Sequence, residues 1–352
     1  MKRIFLVTAV AMLFASCNTN SERNGAKYGG TLRVNISDIP HVVFPGQITK
    51  RSEQVIVNQV YDGLIKYHQR SLEIVPAIAK KYDISSDGLT YTFTLRSNAR
   101  FQNDRCFPQG KGRQIVASDF KYSIEQICRN KLNDNYDISR QVENIVGAEN
   151  FLPEARTNDS VKISGIIAKN DSTLIINLKK PDDLFIYYLA GPNALVFAPE
   201  AYNAYGVNGT VGSGAFCMKY PQVKGQPIEL KYNPKYWKST KQGEQLPFLD
   251  SLIFTFVTST QKELYMFSSG KVDVVFGLQT KYLASFLEEN IESFQSDPPL
   301  FVLTNTVNPD NDKRFNLLKS NIHGLVINSQ NYFDFSDVYL KTPEPRNIVL
   351  EE

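Results

Sequence analysis

The strongest constraint on the fold is a strict alternation of apolar and polar residues between positions 89 and 96. Apolar side chains occupy the odd positions and polar ones the even positions: Leu89, Thr90, Tyr91, Thr92, Phe93, Thr94, Leu95 and Arg96. Because successive side chains of a strand point to opposite faces of a sheet, this pattern predicts a strand with one buried face. Similar strand patterns recur along the chain with helical patterns between them. This mixture predicts an α/β fold of the mixed α+β kind.

Two stretches between the predicted strands have the spacing of amphipathic helices. In residues 52–68 apolar side chains recur every three or four positions, with Ser52 as the expected N-cap. Residues 118–127 have a similar pattern behind Ser118. The turn residues 170–172, followed by alternating apolar residues, predict a β-hairpin.

The first seventeen residues, MKRIFLVTAVAMLFASC, have the composition of an export signal. Two basic residues precede a mostly apolar run at 4–14, which is too short to span a bilayer. The small residues Ala15 and Ser16 stand directly before Cys17. This arrangement predicts a signal peptide over residues 1–16 and, in the bacterial lipoprotein form, a lipid anchor on Cys17. An ordinary secretory signal, in which Cys17 has no special role, is the alternative.

The lipoprotein interpretation places the protein outside the cytoplasm, either in the periplasm or at the cell surface. Residues 17–27 are mainly small and polar, which is typical of a flexible tether between the anchor and the fold. Each buried methylene of an acyl chain contributes about 0.8 kcal/mol to membrane binding. Several acyl chains on Cys17 would therefore hold the protein on the membrane of the cell envelope.

Composition excludes several other classes of protein. The chain has 39 Lys and Arg residues against 36 Asp and Glu residues, without the basic stripe that binds nucleic acid. No later run approaches roughly 18 consecutive apolar residues, so no second membrane segment is predicted. Apart from Cys17 only Cys106, Cys128 and Cys217 remain, so at most one disulfide can form among them. The fold must therefore depend on its hydrophobic core.

The sequence contains no recognisable catalytic or metal-binding constellation. The histidines His41, His68 and His323 lie in unrelated segments without the spacing of metal ligands. Residues 209–214 (GTVGSG) lack the spacing of a dinucleotide fingerprint, and residues 110–113 (GKGR) are too few to wrap a phosphate. We therefore predict no enzymatic activity, no cofactor and no metal site.

Several consecutive segments resemble one family, the family 5 extracellular solute-binding proteins. Its members are the oligopeptide- and dipeptide-binding subunits of bacterial ABC importers. The resemblance is carried by the segments YGGTLRV (28–34), VYDGLIKY (60–67), IVPAIAKKYDISSDGLTYTFTLRSNARF (74–101), GKGRQIVASDFKYSIEQI (110–127), GTVGSGAFCM (209–218), LKYNPKYW (230–237), FLDSLIFTFV (248–257) and SSGKVDVV (268–275). One departure is that Ser97 and Asn98 stand where the family has a basic residue and a glycine.

The resemblance implies a lobe like that of the class II periplasmic binding proteins, with a smaller satellite sheet domain. The implied main lobe comprises residues 28–58, 160–276 and 316–345, and the satellite domain comprises residues 59–159. Family members are much longer, and their second large lobe follows the strand that corresponds to residues 272–276. Only the short remnant 277–315 takes the place of that lobe here. The resemblance therefore implies a truncated second lobe.

The implied function is to capture peptides or similar solutes for a membrane permease that a separate ATPase powers. In the family, the loop after the first strand binds the ligand backbone, a form of extended-strand recognition. The corresponding candidate ligand-binding residues are Asn35, Ile36, Ser37, Phe44, Tyr61, Leu195, Val196 and Phe197. A ligand held by one lobe stays half exposed, which weakens its binding. The alternative is therefore a degenerate lobe that acts as a surface scaffold without tight capture.

Overall fold

The structure, a computed structural model, describes the greater part of the chain. The described residues are 28–41, 43–68, 73–130, 142–154, 158, 160–218, 223, 225–276, 280–295, 301–304, 324–327, 335–336, 338–341 and 347–350. The predicted signal peptide 1–16, the predicted lipid anchor Cys17 and the tether 17–27 lie outside the described residues.

Fifteen β-strands lie within the described residues. They are β1 (Thr31–Asn35), β2 (Ile65–Tyr67), β3 (Ile74–Pro76), β4 (Ala79–Ile84), β5 (Thr90–Leu95), β6 (Ile166–Asn170), β7 (Thr173–Asn177), β8 (Phe216–Met218), β9 (Ile228–Tyr232), β10 (Ser251–Thr255), β11 (Val274–Phe276), β12 (Phe301–Thr304), β13 (Gly324–Ile327), β14 (Val338–Lys341) and β15 (Asn347–Leu350).

Eight α-helices lie in the same part of the chain. They are α1 (Arg51–Val60), α2 (Ala117–Asn130), α3 (Ala148–Glu154), α4 (Phe185–Leu189), α5 (Pro199–Tyr205), α6 (Thr260–Ser268), α7 (Thr280–Glu289) and α8 (Ile291–Gln295). No helix of the described chain is long and apolar enough to cross a bilayer.

The larger sheet has seven strands in the order β12–β13–β11–β1–β10–β9–β8. Its central strand β1 runs parallel to both of its neighbours, with Asn35 opposite Thr255 of β10 and Val275 of β11. Leu32 and Val34 of β1 are buried in the core. In open sheets of this kind, ligands bind beyond the carboxyl ends of the parallel strands. Asn35 lies at such an end.

A second sheet has four antiparallel strands in the order β4–β5–β7–β6, and two further strand pairs are β2–β3 and β14–β15. β5 confirms the strand predicted from the alternation at 89–96, and β6 with β7 confirms the hairpin predicted around residues 170–172. The apolar residues of β5 are buried, as are those of the predicted helix, now α2: Tyr91, Phe93, Leu95, Phe120, Ile124 and Ile127. The helix α2 packs on β6 and β7. The predicted mixed α/β fold is confirmed.

Most strands of the two main sheets follow the implied domains, but those near residue 159 do not. Strands of the larger sheet come from each of the three segments assigned to the main lobe, and β12 comes from the remnant 277–315. β6 and β7, however, come after residue 159 and belong to the four-stranded sheet, in which β7 pairs with β5. The boundary expected at residue 159 therefore falls inside the part of the chain that builds this sheet. The division into a main lobe and a satellite domain stays a prediction.

The helix predicted over residues 52–68 ends early, at Val60. Tyr61 is already extended, with φ −124° and ψ 151°, and the chain continues into β2, which pairs with β3. The Val60 carbonyl accepts a hydrogen bond from the Gly214 amide (2.9 Å). A Cβ on Gly212 would lie 1.9 Å from the same carbonyl oxygen, so only glycine lets the two segments approach this closely. This tertiary contact occupies the carbonyl that a longer helix would use.

Candidate ligand-binding site

Asn35 is fully buried at the carboxyl end of β1. Its Oδ1 accepts hydrogen bonds from the Val257 amide (2.9 Å) and the Thr255 hydroxyl (3.0 Å). Its Nδ2 donates to the Val257 carbonyl (3.1 Å) and to Glu263 Oε1 (2.6 Å). Both polar atoms of the side chain are thus engaged inside the protein, and Asn35 joins the end of β1 to the segment between β10 and α6.

Glu263 lies in the first turn of α6, and only 3% of its surface is exposed. Burial raises the pKa of this carboxyl to about 7, although the hydrogen bond from Asn35 acts in the opposite direction. The physical cause is that a carboxylate loses most of its hydration in the interior of a protein. Glu263 therefore changes its charge near neutral pH, at the edge of the sheet where ligands are expected.

Ile36 and Ser37 begin the β1–α1 loop, which comprises residues 36–50. The Ile36 side chain is buried, and its amide donates to the Thr255 carbonyl (2.9 Å). Ser37 is exposed, unlike the other seven candidate ligand-binding residues, whose side chains are buried. Of the eight candidates, Ser37 is therefore the one whose side chain is open to a ligand, and the same loop also exposes His41 and Thr49.

Three of the candidate residues, Phe44, Tyr61 and Phe197, lie together. With Tyr122 and Tyr202 they form what we call the aromatic cluster. The Phe44 ring lies 4.7 Å from Phe197 and 6.3 Å from Tyr61, measured between ring centroids. The Tyr61 hydroxyl donates to the Gly209 carbonyl (2.9 Å). Such tilted and edge-to-face pairs are favourable arrangements of aromatic rings. Phe44, Tyr61 and Phe197 form the buried side of the cluster.

Tyr122 of α2 and Tyr202 of α5 complete the aromatic cluster, and sequence reasoning missed both. Tyr122 lies 6.0 Å from Phe197, and Tyr202 lies 5.9 Å from Phe44. Both rings are half-buried and form the accessible side of the cluster. Tyr122 could have been identified from its position two residues after Phe120. At this spacing it lies away from the apolar face of the helix, where an aromatic side chain is available for contacts outside the core.

Leu195, Val196 and Phe197 lie between α4 and α5, outside any helix or strand, and their side chains are buried. The Val196 amide donates to the Asp62 carbonyl (2.9 Å). The Phe197 amide donates to Ser123 Oγ (3.1 Å). These groups act within the protein, so the structure places Leu195 and Val196 in the core and only Phe197 in the aromatic cluster.

Arg113 connects the two helices that carry the accessible tyrosines. Its guanidinium donates to Asp119 in the first turn of α2 (2.7 and 2.8 Å) and to Glu200 in the first turn of α5 (2.6 and 3.1 Å). Burial opposes ionisation of Glu200, but the hydrogen bonds from Arg113 outweigh burial and lower its pKa. Arg113 thereby helps to set the separation of Tyr122 and Tyr202.

No cluster of three or more His, Cys, Asp or Glu side chains in the described chain could hold a metal ion. Cys106, Cys128 and Cys217 form no disulfide with one another. Burial raises the pKa of the Cys106 and Cys217 thiols to about 12, so neither is a ready nucleophile.

Comparison with known proteins identifies the family. The profile described as "Bacterial extracellular solute-binding proteins, family 5 Middle" matches residues 73–319. The chain belongs to this family. A curated relative, the oligopeptide-binding protein OppA of Bacillus subtilis, is 25% identical over 277 residues, which cover 77% of this chain and 47% of OppA. The dipeptide-binding protein DppE of the same species is 27% identical over 227 residues, which cover 62% of this chain and 38% of DppE.

Solved structures of binding proteins share the fold. DppA from Helicobacter pylori, in complex with the peptide STSA, superposes with a TM-score of 0.61 at 21% identity, covering 75% of this chain and 49% of DppA. OppA from Haemophilus influenzae, in complex with RPPGFSPFR, superposes with a TM-score of 0.63 at 18% identity, with the same coverage. The implied class II periplasmic-binding-protein fold is confirmed. The chain spans about half the length of these proteins.

Proposed function

We propose that this protein captures peptides or similar small solutes outside the cytoplasm as the binding subunit of an ABC importer. The family match over residues 73–319 carries this proposal. It is supported by OppA and DppE, whose names record oligopeptide and dipeptide binding. The bound solute passes to a membrane permease that a separate ATPase subunit powers. The protein has no catalytic role in this proposal.

In the proposed binding mode, the solute lies against the β1–α1 loop and the accessible side of the aromatic cluster. The backbone of the loop and Ser37 supply hydrogen bonds that do not depend on the side chains of a peptide. Tyr122 and Tyr202 supply aromatic surface, since both are half-buried. Phe44, Tyr61 and Phe197 form the buried side of this cluster, while the buried residues Asn35, Ile36, Leu195 and Val196 contribute through packing and internal hydrogen bonds.

Membrane attachment through Cys17 is the second part of the proposal. A lipid on this residue would keep the binding lobe close to the permease at the surface of the membrane. Labelled palmitate should be incorporated into the wild-type protein and into Cys106→Ala, and not into Cys17→Ala. Equal labelling of Cys17→Ala would refute the anchor.

A surface scaffold that no longer captures solute is the second candidate function. The feature that favours it is the interval 277–315, which is shorter than the second lobe that the family resemblance implies at this place in the chain. A site with one wall buries less of its ligand than an enclosed pocket does, and affinity falls accordingly.

The two candidates are separated by native mass spectrometry of the full chain after mild detergent extraction, followed by calorimetric titration with a mixture of peptides. A co-purified peptide mass, or a saturable heat of binding, supports capture. A stable protein partner without a peptide, combined with no heat of binding, supports the scaffold and refutes capture.

A further inference from the structure

Glu53 is a buried carboxylate in the first turn of α1, with 1% of its surface exposed. Its Oε1 accepts a hydrogen bond from the His41 amide (2.9 Å). Its Oε2 accepts from the amides of Thr49 (2.9 Å) and Lys50 (3.0 Å) and from the Thr49 hydroxyl (3.3 Å). One side chain therefore binds the β1–α1 loop at two places that are eight residues apart in sequence, and it closes the base of the loop.

A second carboxylate, Asp38, reinforces the same loop from outside. It accepts from Lys50 Nζ (3.0 Å) and from the Ser52 hydroxyl (3.2 Å). The Asp38 side chain is 44% exposed, so water and salt weaken these contacts. Hydrogen bonds from backbone amides to a buried carboxylate are not weakened in this way. Glu53 therefore stabilises the loop conformation more strongly than Asp38 does.

The segment that Glu53 closes carries Phe44 into the aromatic cluster. Gly46, with φ +82°, lies so close to α2 that an added Cβ would be 2.8 Å from the Ile127 side chain. The packing of Phe44 and Gly46 thus requires the loop to follow one particular path beside α2. The position of the Phe44 ring, 4.7 Å from Phe197, depends on that path.

We propose that Glu53 is a positioning residue for ligand binding, which holds the β1–α1 loop in its binding-competent shape before the ligand arrives. This inference rests on the proposed capture function. A protein whose competent state is only partly populated binds its ligand more weakly in proportion to that population. A hydrogen bond to a charged group changes such a population by roughly tenfold to a hundredfold.

The substitution Glu53→Gln tests the role with almost no change in shape. The amide NH2 of glutamine must replace one carboxylate oxygen, and it then faces backbone N–H groups that are also donors. If the NH2 group faces the His41 amide, one backbone hydrogen bond is lost. If it faces the amides of Thr49 and Lys50, two are lost. Glutamine should therefore adopt the first orientation and release the His41 end only. Glu53→Ala should release both ends.

The experiment combines residue-resolved hydrogen exchange with peptide titration of the full chain. Glu53→Gln should exchange the His41 amide at least about tenfold faster while Thr49 and Lys50 stay protected, and its peptide affinity should fall about tenfold. Asp87→Asn is the matched control, because Asp87 also holds a turn by accepting from an amide, that of Leu89 (3.0 Å), but in the β4–β5 connection. This control should leave peptide affinity and exchange in the β1–α1 loop unchanged.

Each possible result bears on the proposal. Unchanged exchange at His41, Thr49 and Lys50 in both Glu53 variants would show that Glu53 does not hold the loop. Faster exchange with unchanged peptide affinity would overturn the positioning role. A role limited to general stability predicts faster exchange in β1 as well, and that result would also overturn it. A wild-type protein that binds no peptide overturns the proposed function and this role with it, while its exchange data still decide whether Glu53 fastens the loop.

Discussion

Replacing Glu263 with glutamine should make the protein more stable at pH 8 and leave its stability almost unchanged at pH 4. The buried carboxyl has a pKa of about 7 in the folded protein against 4.5 ordinarily. The folded state thus binds this proton more tightly than the unfolded state. The resulting stabilisation is fully present below pH 4.5 and is lost progressively as the pH rises to about 7.

The size of the effect follows from the separation of the two pKa values. Each pKa unit corresponds to about 1.4 kcal/mol, so ionisation of Glu263 costs up to about 3 kcal/mol of the free energy of unfolding above pH 7. Glutamine avoids this cost because it is neutral, and its Oε1 can still accept from Asn35 Nδ2, as Glu263 Oε1 does at 2.6 Å. The variant should therefore gain stability relative to the wild type between pH 4.5 and 7.

Urea unfolding followed by circular dichroism at pH 4, 6 and 8 measures this gain. The difference between Glu263→Gln and the wild type should grow with pH and level off above pH 7. Glu288→Gln is the control, because Glu288 is an exposed glutamate on α7 and its replacement should show no such growth. A difference of the same size at all three pH values would refute the argument, since it would show that the buried carboxyl does not titrate in this range.

Three further predictions concern packing, charge and binding. Gly212→Ala should lower the free energy of unfolding by about 1–3 kcal/mol in urea titrations, because its Cβ would lie 1.9 Å from the Val60 carbonyl oxygen; an unchanged midpoint would contradict the close approach. Arg113→Met should lower the free energy of unfolding by about 1–3 kcal/mol, because it removes the ion pair of the buried Asp119 while water reaches the partly exposed position of Arg113, and Asp119→Asn in the same chain should restore part of that loss. Tyr122→Ala should weaken peptide binding about tenfold through lost aromatic contact, whereas Tyr265→Ala, at an exposed tyrosine of α6, should not; equal affinities in calorimetry would remove Tyr122 from the site.

The local elements were predictable where a single periodicity operates over the whole element. The alternation at 89–96 predicted β5, and the spacing of Phe120, Ile124 and Ile127 predicted α2. The end of α1 was not predictable in this way. Leu64 and Ile65 continue the apolar spacing of the helix, and both are buried. They nevertheless lie beyond the end of α1 at Val60, where the chain leads into β2. An apolar side chain can be buried equally well from a helix or from a strand, so its spacing does not report the change.

The amino-acid order therefore establishes the fold class, the family and the absence of a recognisable catalytic motif, because these depend on patterns within short segments. The arrangement of the candidate site is different in kind. The burial of Phe44 and Phe197, and the accessibility of Tyr122 and Tyr202, depend on how the β1–α1 loop packs against α2. Glu53 and Glu263 look like ordinary helix-start acids in the sequence. Their roles arise from partners that the folded chain brings to them, since burial and hydrogen bonding are properties of packing.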